Sequence, residues 1–138
     1  MSQDQIVLET TDERMSFTRA TMQVLDNWGL EAGQMHALLA MPESVRTRAF
    51  NSFRNETPFP SDPTVEKRAG YVLRIAEALR TSFPTNPTMG GRWIRQGHRR
   101  FGNRSPLSVM LQGEDGMVAI LAQVDCTFAW DQSGSKAN

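Results

Sequence analysis

A single cysteine, Cys126, stands among 138 residues. That rules out an internal disulfide framework and any zinc site built from several thiolates. No apolar run approaches the roughly 20 residues needed to span a bilayer. The start, MSQDQIVLETTDER, carries acids where a secretory signal needs basic residues, which predicts no export signal. Catalytic signatures are missing as well: there is no HExxH, GxSxG, Walker loop or GxGxxG. His36 sits beside Leu38 and Leu39 and reads as a structural imidazole. Cys126 and His98 have nothing in the sequence to bring them together as nucleophile and base. The expectation is a cytoplasmic protein that is not an enzyme and needs no cofactor or metal.

Lysine is scarce, with two Lys against thirteen Arg. Arginine presents a planar fork of donors that suits phosphate, carboxylate and base edges. Net charge is zero, but that zero is a cancellation. Residues 1–45 hold two Arg and seven acids, a net of −5. Residues 46–104 hold twelve basic residues and four acids, a net of +8. Residues 105–138 hold one Lys and four acids, a net of −3. Oppositely charged stretches of this kind point to surfaces with different partners.

Hydrophobic periodicity predicts helices throughout. Residues 1–12 read as a flexible lead-in. From Ser16, the residues Phe17, Ala20, Val24, Leu25 and Trp28 form one stripe, closed by Gly29. A second short helix buries Met35, Leu38 and Leu39. Ala40-Met41-Pro42 is a tight break, with Pro42 suited to a first helical turn. A third helix, Glu43–Arg54, would bury Val45, Ala49, Phe50 and Phe53. Residues 55–63 form a linker rich in turn formers. Asp62 or Thr64 then caps the longest helix, whose stripe is Val65, Ala69, Val72, Ala76, Leu79 and Phe83, widened by Leu73 and Ile75. A stripe this wide is central to the core or to a dimer. Pro84 and Pro87 stop it. A short helix at Gly90–Arg95 carries Trp93. Ser105 caps a further start with Pro106 in its first turn. The last helix, about Asp115–Phe128, buries Met117, Leu121, Val124 and Phe128. The fold class expected is all-α.

Two regions offer binding chemistry. The first three helices read as a helix-turn-helix, whose second member would be Glu43–Arg54. Its outward residues are Ser44, Arg46, Thr47, Arg48, Asn51 and Arg54, types that reach phosphates and base edges. An ordinary three-helix bundle with a solvated face gives the same pattern. The turn lacks the usual glycine, and Glu43 repels phosphate. The second region, residues 92–104, holds five Arg, one His and no acid. Trp93 and Phe101 anchor it. It fits an anionic ligand or an acidic protein face, and it could equally be a solvated turn that packs its aromatics.

The order of these parts resembles a known family. Trp93, Phe101, Gly102, Arg104, Ser105, Pro106, Leu107, Met110, Leu111, Gly113 and Gly116 follow the pattern of the Xre/MbcA/ParS antitoxins of bacteria. The Trp28-Gly29-Leu30…Leu38-Leu39 segment is similar to their Xre-like helix-turn-helix. The resemblance spans about residues 15–130. The residues themselves predict a flexible segment 1–12 and a polar, disordered tail 132–138, and the resemblance implies a helix-turn-helix domain 13–57 and a long central helix with a small helical toxin-binding domain 58–131. It also implies neutralisation of a RES-domain toxin that degrades NAD, autoregulation through operator DNA, and a homo-oligomer or a toxin–antitoxin complex, with no membrane partner. The toxin-binding residues would be Trp93, Arg95, Arg99, Arg100, Phe101, Gly102, Arg104, Ser105, Pro106, Leu107, Glu114 and Asp115. A site that binds the diphosphate of NAD should be basic. The acidic last helix, with Glu114, Asp115, Asp125 and Asp131, could meet it while the Arg turn grips an acidic rim. The alternative is a transcription regulator of the same helix-turn-helix type with no toxin partner.

Overall fold

The computed structural model describes residues 11–86 and 88–125. Expectations for Pro87, Cys126, Phe128, Asp131 and the tail 132–138 lie outside the described residues, as does most of the expected lead-in. Among the described residues the chain is all-α, with seven α-helices, two 3-10 turns and no strand. None of these helices is long and apolar enough to cross a membrane. The chain divides into two compact units, Met1–Ala69 and Gly70–Asn138.

In the first unit, α1 spans Thr11–Asn27. It therefore includes residues expected to precede the helix. Its buried face is Met15, Thr18, Thr21, Met22 and Leu25, rotated from the expected stripe. Ala20 is exposed, and Phe17 and Val24 are half-buried. Two threonines enter the core because each hydroxyl finds a partner there. The Thr21 hydroxyl donates to the Phe17 carbonyl at 2.9 Å. Thr18 Oγ1 accepts the Phe59 amide at 2.8 Å. A satisfied hydroxyl loses most of its burial cost.

Gly29, at φ 79, ends α1 in the left-handed conformation that glycine adopts freely. Helix α2, Ala32–Leu39, buries Met35, Leu38 and Leu39 as expected. Glu31 and Gln34 form a reciprocal capping box at its start. Ala40 closes it at φ 53, ψ 47, so alanine does there what the missing glycine would do.

The expected helix Glu43–Arg54 is corrected. Residues 42–45 make a turn in which the Val45 amide donates to the Pro42 carbonyl at 2.9 Å. Arg46 is extended, at φ −87, ψ 155. A 3-10 turn, Thr47–Ala49, then leads into α3, Phe50–Phe53. His36 Nε2 donates to the Val45 carbonyl at 2.8 Å, satisfying a group that a continuous helix would have used internally.

Residues 55–63 are fastened down rather than free. Phe50, Phe53 and Phe59 stack edge to face with 5.1 Å between successive centroids. Arg14 donates to the Phe59 carbonyl at 2.7 Å and pairs with Glu66 at 3.2 Å. The boundary between units therefore falls beyond this stretch, inside the long helix α4, Pro63–Ser82. Asp62 Oδ1 caps α4 by accepting the Thr64 and Val65 amides. Val65, Ala69, Val72, Ile75 and Leu79 are buried along it. Ala76 and Phe83 are half-buried.

The second unit continues from α4 through α5, Met89–Arg95, a 3-10 turn at Arg99–Phe101, α6, Pro106–Met110, and α7, Glu114–Val124. A Cβ on Gly90 would meet Leu79 at 3.3 Å, so α5 starts close against the end of α4. Ser105 caps α6 by accepting the Ser108 amide at 3.1 Å, with Pro106 in the first turn. Met117, Ile120 and Leu121 form the buried stripe of α7. Val124 is half-buried.

Candidate functional site

The basic turn between α5 and α6 is a closed loop. The His98 amide donates to the Arg104 carbonyl at 3.1 Å, and the Asn103 amide returns to the His98 carbonyl at 2.9 Å. Gly102 and Asn103 both take positive φ, 65 and 66, which glycine and asparagine tolerate best. Gly97 is required by space. A Cβ there would lie 2.5 Å from the Asn103 carbonyl oxygen.

Three rings fill this loop. Trp93 and His98 are 5.0 Å apart, while Phe101 meets them edge-on at 6.2 and 6.1 Å. His98 Nε2 donates to the Trp93 carbonyl at 3.0 Å, since a carbonyl can only accept. That bond ties the loop to the end of α5. His98 is thus a framework residue absent from the expected site set. Its position five residues after Trp93 and three before Phe101 was the available signal.

Around these half-buried rings, Arg92, Arg95, Arg99, Arg100 and Arg104 are exposed. Arg100 donates to Gln123 at 2.9 Å and lies 6.0 Å from the Phe101 ring centre. Arg104 donates to the Phe101 carbonyl at 3.2 Å. None of the five meets a carboxylate among the described residues. The contrast is with Arg14, Arg54, Arg74 and Arg80, which pair with Glu66, Asp26, Asp125 and Glu77.

The expected toxin-binding residues therefore separate into three groups. Trp93, Arg95, Arg99, Arg100, Phe101 and Arg104 gather on the turn. Gly102, Ser105, Pro106 and Leu107 shape it instead: the first sets a left-handed corner, Ser105 caps α6, and Pro106 and Leu107 are buried. Glu114 and Asp115 form the first turn of α7, where acids complement the helix dipole. Tyr71 donates to Glu114 at 3.5 Å, and Asp115 is exposed.

The expected DNA-binding residues lie in the first unit. Ser44, Arg46, Thr47, Arg48, Asn51 and Arg54 are all exposed. Arg54 is committed to a bidentate pair with Asp26, both contacts at 2.8 Å, and also donates to Asn51 at 3.1 Å. The hydrogen bond to Asp26 raises the Arg54 pKa above the usual arginine range. Partial burial opposes this, and the Asp26 charge adds to the rise. Arg46 and Arg48 have no carboxylate partner among the described residues. With Gly33, His36, Val45 and Thr47 they line an open cleft of ≈ 420 Å³. Gly33, His36 and Val45 were not expected at any site.

Among the described residues, no cluster of His, Cys, Asp and Glu could hold a metal ion. No protein-family model matches the chain, and no curated protein matches it.

Proposed function

We propose that the chain is an antitoxin that captures and neutralises a RES-domain, NAD-degrading toxin through residues 92–116 and acts in the cytoplasm. The observation that carries this reading is the uncompensated charge of the α5–α6 turn. Five exposed Arg surround three half-buried rings with no carboxylate among them. A surface of this kind is completed by an acidic partner, with Arg and aromatic groups as the energetic anchors. The acids at the start of α7 offer the opposite charge to a basic nucleotide site. The motif resemblance supplies the identity of the partner.

The first unit would contact operator DNA. Arg46, Thr47 and Arg48 sit on an extended residue and a 3-10 turn, not on a helix long enough to lie along the major groove. Phosphate contact is the role this arrangement favours.

Co-expression with a RES-domain toxin tests the first half. Cells should keep their NAD and the two proteins should co-purify. Continued NAD loss with the antitoxin present overturns the reading. Gel shifts on promoter DNA at several salt concentrations test the second half, because phosphate contacts weaken steeply with salt.

A further inference from the structure

The cleft between α2 and the Thr47–Ala49 turn has a chemistry of its own. Arg46 and Arg48 line it, with the hydroxyl-bearing Thr47 between them in sequence. Among the described residues no carboxylate lines it. Gly33 contributes open space, since a Cβ there would meet nothing within 4 Å. One wall is held by the His36–Val45 hydrogen bond of 2.8 Å.

We infer that this cleft is a binding site for a single phosphate group. Guanidinium forks and a hydroxyl suit the oxygens of a phosphate in charge and as hydrogen-bond donors. The positive charges of Arg46 and Arg48 disfavour a cation. His36 is the one ring in the lining, and its Nε2 is engaged by the Val45 carbonyl; the nearby Phe50, edge-on to it at 6.5 Å, is 1% exposed. Recognition therefore centres on the phosphate. That phosphate can belong to a nucleic-acid backbone or to a small free phosphate. The inference is independent of toxin capture and shares only Arg46, Thr47 and Arg48 with the DNA reading.

The test is a titration of the full chain followed by amide NMR, with ionic strength held constant by sodium chloride. Inorganic phosphate should shift the Gly33, Val45 and Thr47 amides saturably, with a Kd on the order of millimolar, as suits a solvent-exposed pair of cations. Arg46→Gln and Arg48→Gln should each weaken binding about tenfold, the loss expected for one charge-assisted contact. The remaining spectrum of each variant should be unchanged, which reports an intact fold. A short DNA duplex, added in a second arm, assigns the source. Shifts of the same amides that phosphate competes away identify a nucleic-acid phosphate. Shifts with phosphate but not with duplex identify a free one, and then the DNA reading fails while the cleft stands. Absence of saturable shifts in both arms, or shifts that survive loss of both arginines, overturns the inference.

Discussion

Gly116 lies so near Val109 that a Cβ on it would stand 2.0 Å from the Val109 carbonyl oxygen. That distance is well inside any real contact, so α6 and α7 meet backbone to backbone at this point. Gly116→Ala must push the two helices apart. The expected loss is about 2 kcal/mol or more, the scale of overpacking in a close-packed core. Thermal unfolding checks it, because about 1 kcal/mol moves Tm by several degrees in a domain of this size. Gly102→Ala makes a useful comparison. No atom stands within 4 Å of its Cβ position, and only the positive φ opposes the change, at about 1 kcal/mol.

Thr18 and Phe59 make the second prediction. The Phe59 amide is buried and donates to Thr18 Oγ1. Thr18→Val keeps the shape and removes the acceptor. An unsatisfied buried amide costs about 1–3 kcal/mol. Hydrogen exchange at Phe59 should speed up along with the loss of stability. Unchanged protection at that amide would mean the hydroxyl is dispensable.

Ala40 holds the left-handed corner after α2 with a side chain that disfavours it. Ala40→Gly relieves that strain, and the greater freedom of glycine in the unfolded chain offsets part of the gain. A net stabilisation of about 0.5 kcal/mol is expected, read from urea unfolding. A drop in stability would count against strain at this corner.

Arg54 and Asp26 carry a pH prediction. The pair is bidentate, but its side chains are 39% and 40% exposed. Its contribution is therefore about 1 kcal/mol at most. The Arg54 pKa is raised by folding. A raised cationic group stabilises the fold throughout the range below its unfolded pKa, and that stability is lost only as pH rises through the folded value. Loss on the arginine side thus falls far into alkali. The stability gap between wild type and Arg54→Gln should be the same at about pH 6 and about pH 9, since neither value approaches an arginine pKa. Paired denaturation curves measure that gap.

Charge reversal of Arg99, Arg100 and Arg104 to Glu tests the basic turn. Toxin capture should weaken by at least tenfold, with the unaltered fold confirmed by circular dichroism. Most of the change should appear in the association rate and its salt dependence, as for exposed charges at an interface rim. Equal affinity would remove the turn from the toxin-binding surface.

The α5–α7 region was the most readable part of the sequence. Ser105-Pro106 declared a helix start. That is a local rule, and the structure obeys it, while the close approaches at Gly97 and Gly116 came only with the fold. The cleft residues Gly33, His36 and Val45 were not readable, because they come together only when Val45 folds back on α2. The phase of α1 was misread for a related reason. Phe17, Ala20 and Val24 repeat at helical spacing as well as Met15, Met22 and Leu25 do. The two buried threonines look polar until their hydroxyls meet Phe59 and the helix backbone.

By itself the sequence determined the helical class, most helix positions, the caps at Gly29 and Ser105 and the segregation of charge. All of these follow from spacing along one chain and from single-residue conformational limits. Only the tertiary structure decided which face of α1 is buried, that Glu43–Arg46 is not helical, that residues 55–63 are held in place, and which arginines are neutralised. Those outcomes depend on hydrogen bonds and ion pairs between residues far apart in sequence, such as Thr18 with Phe59 and Asp26 with Arg54. No periodicity along the chain encodes such pairings.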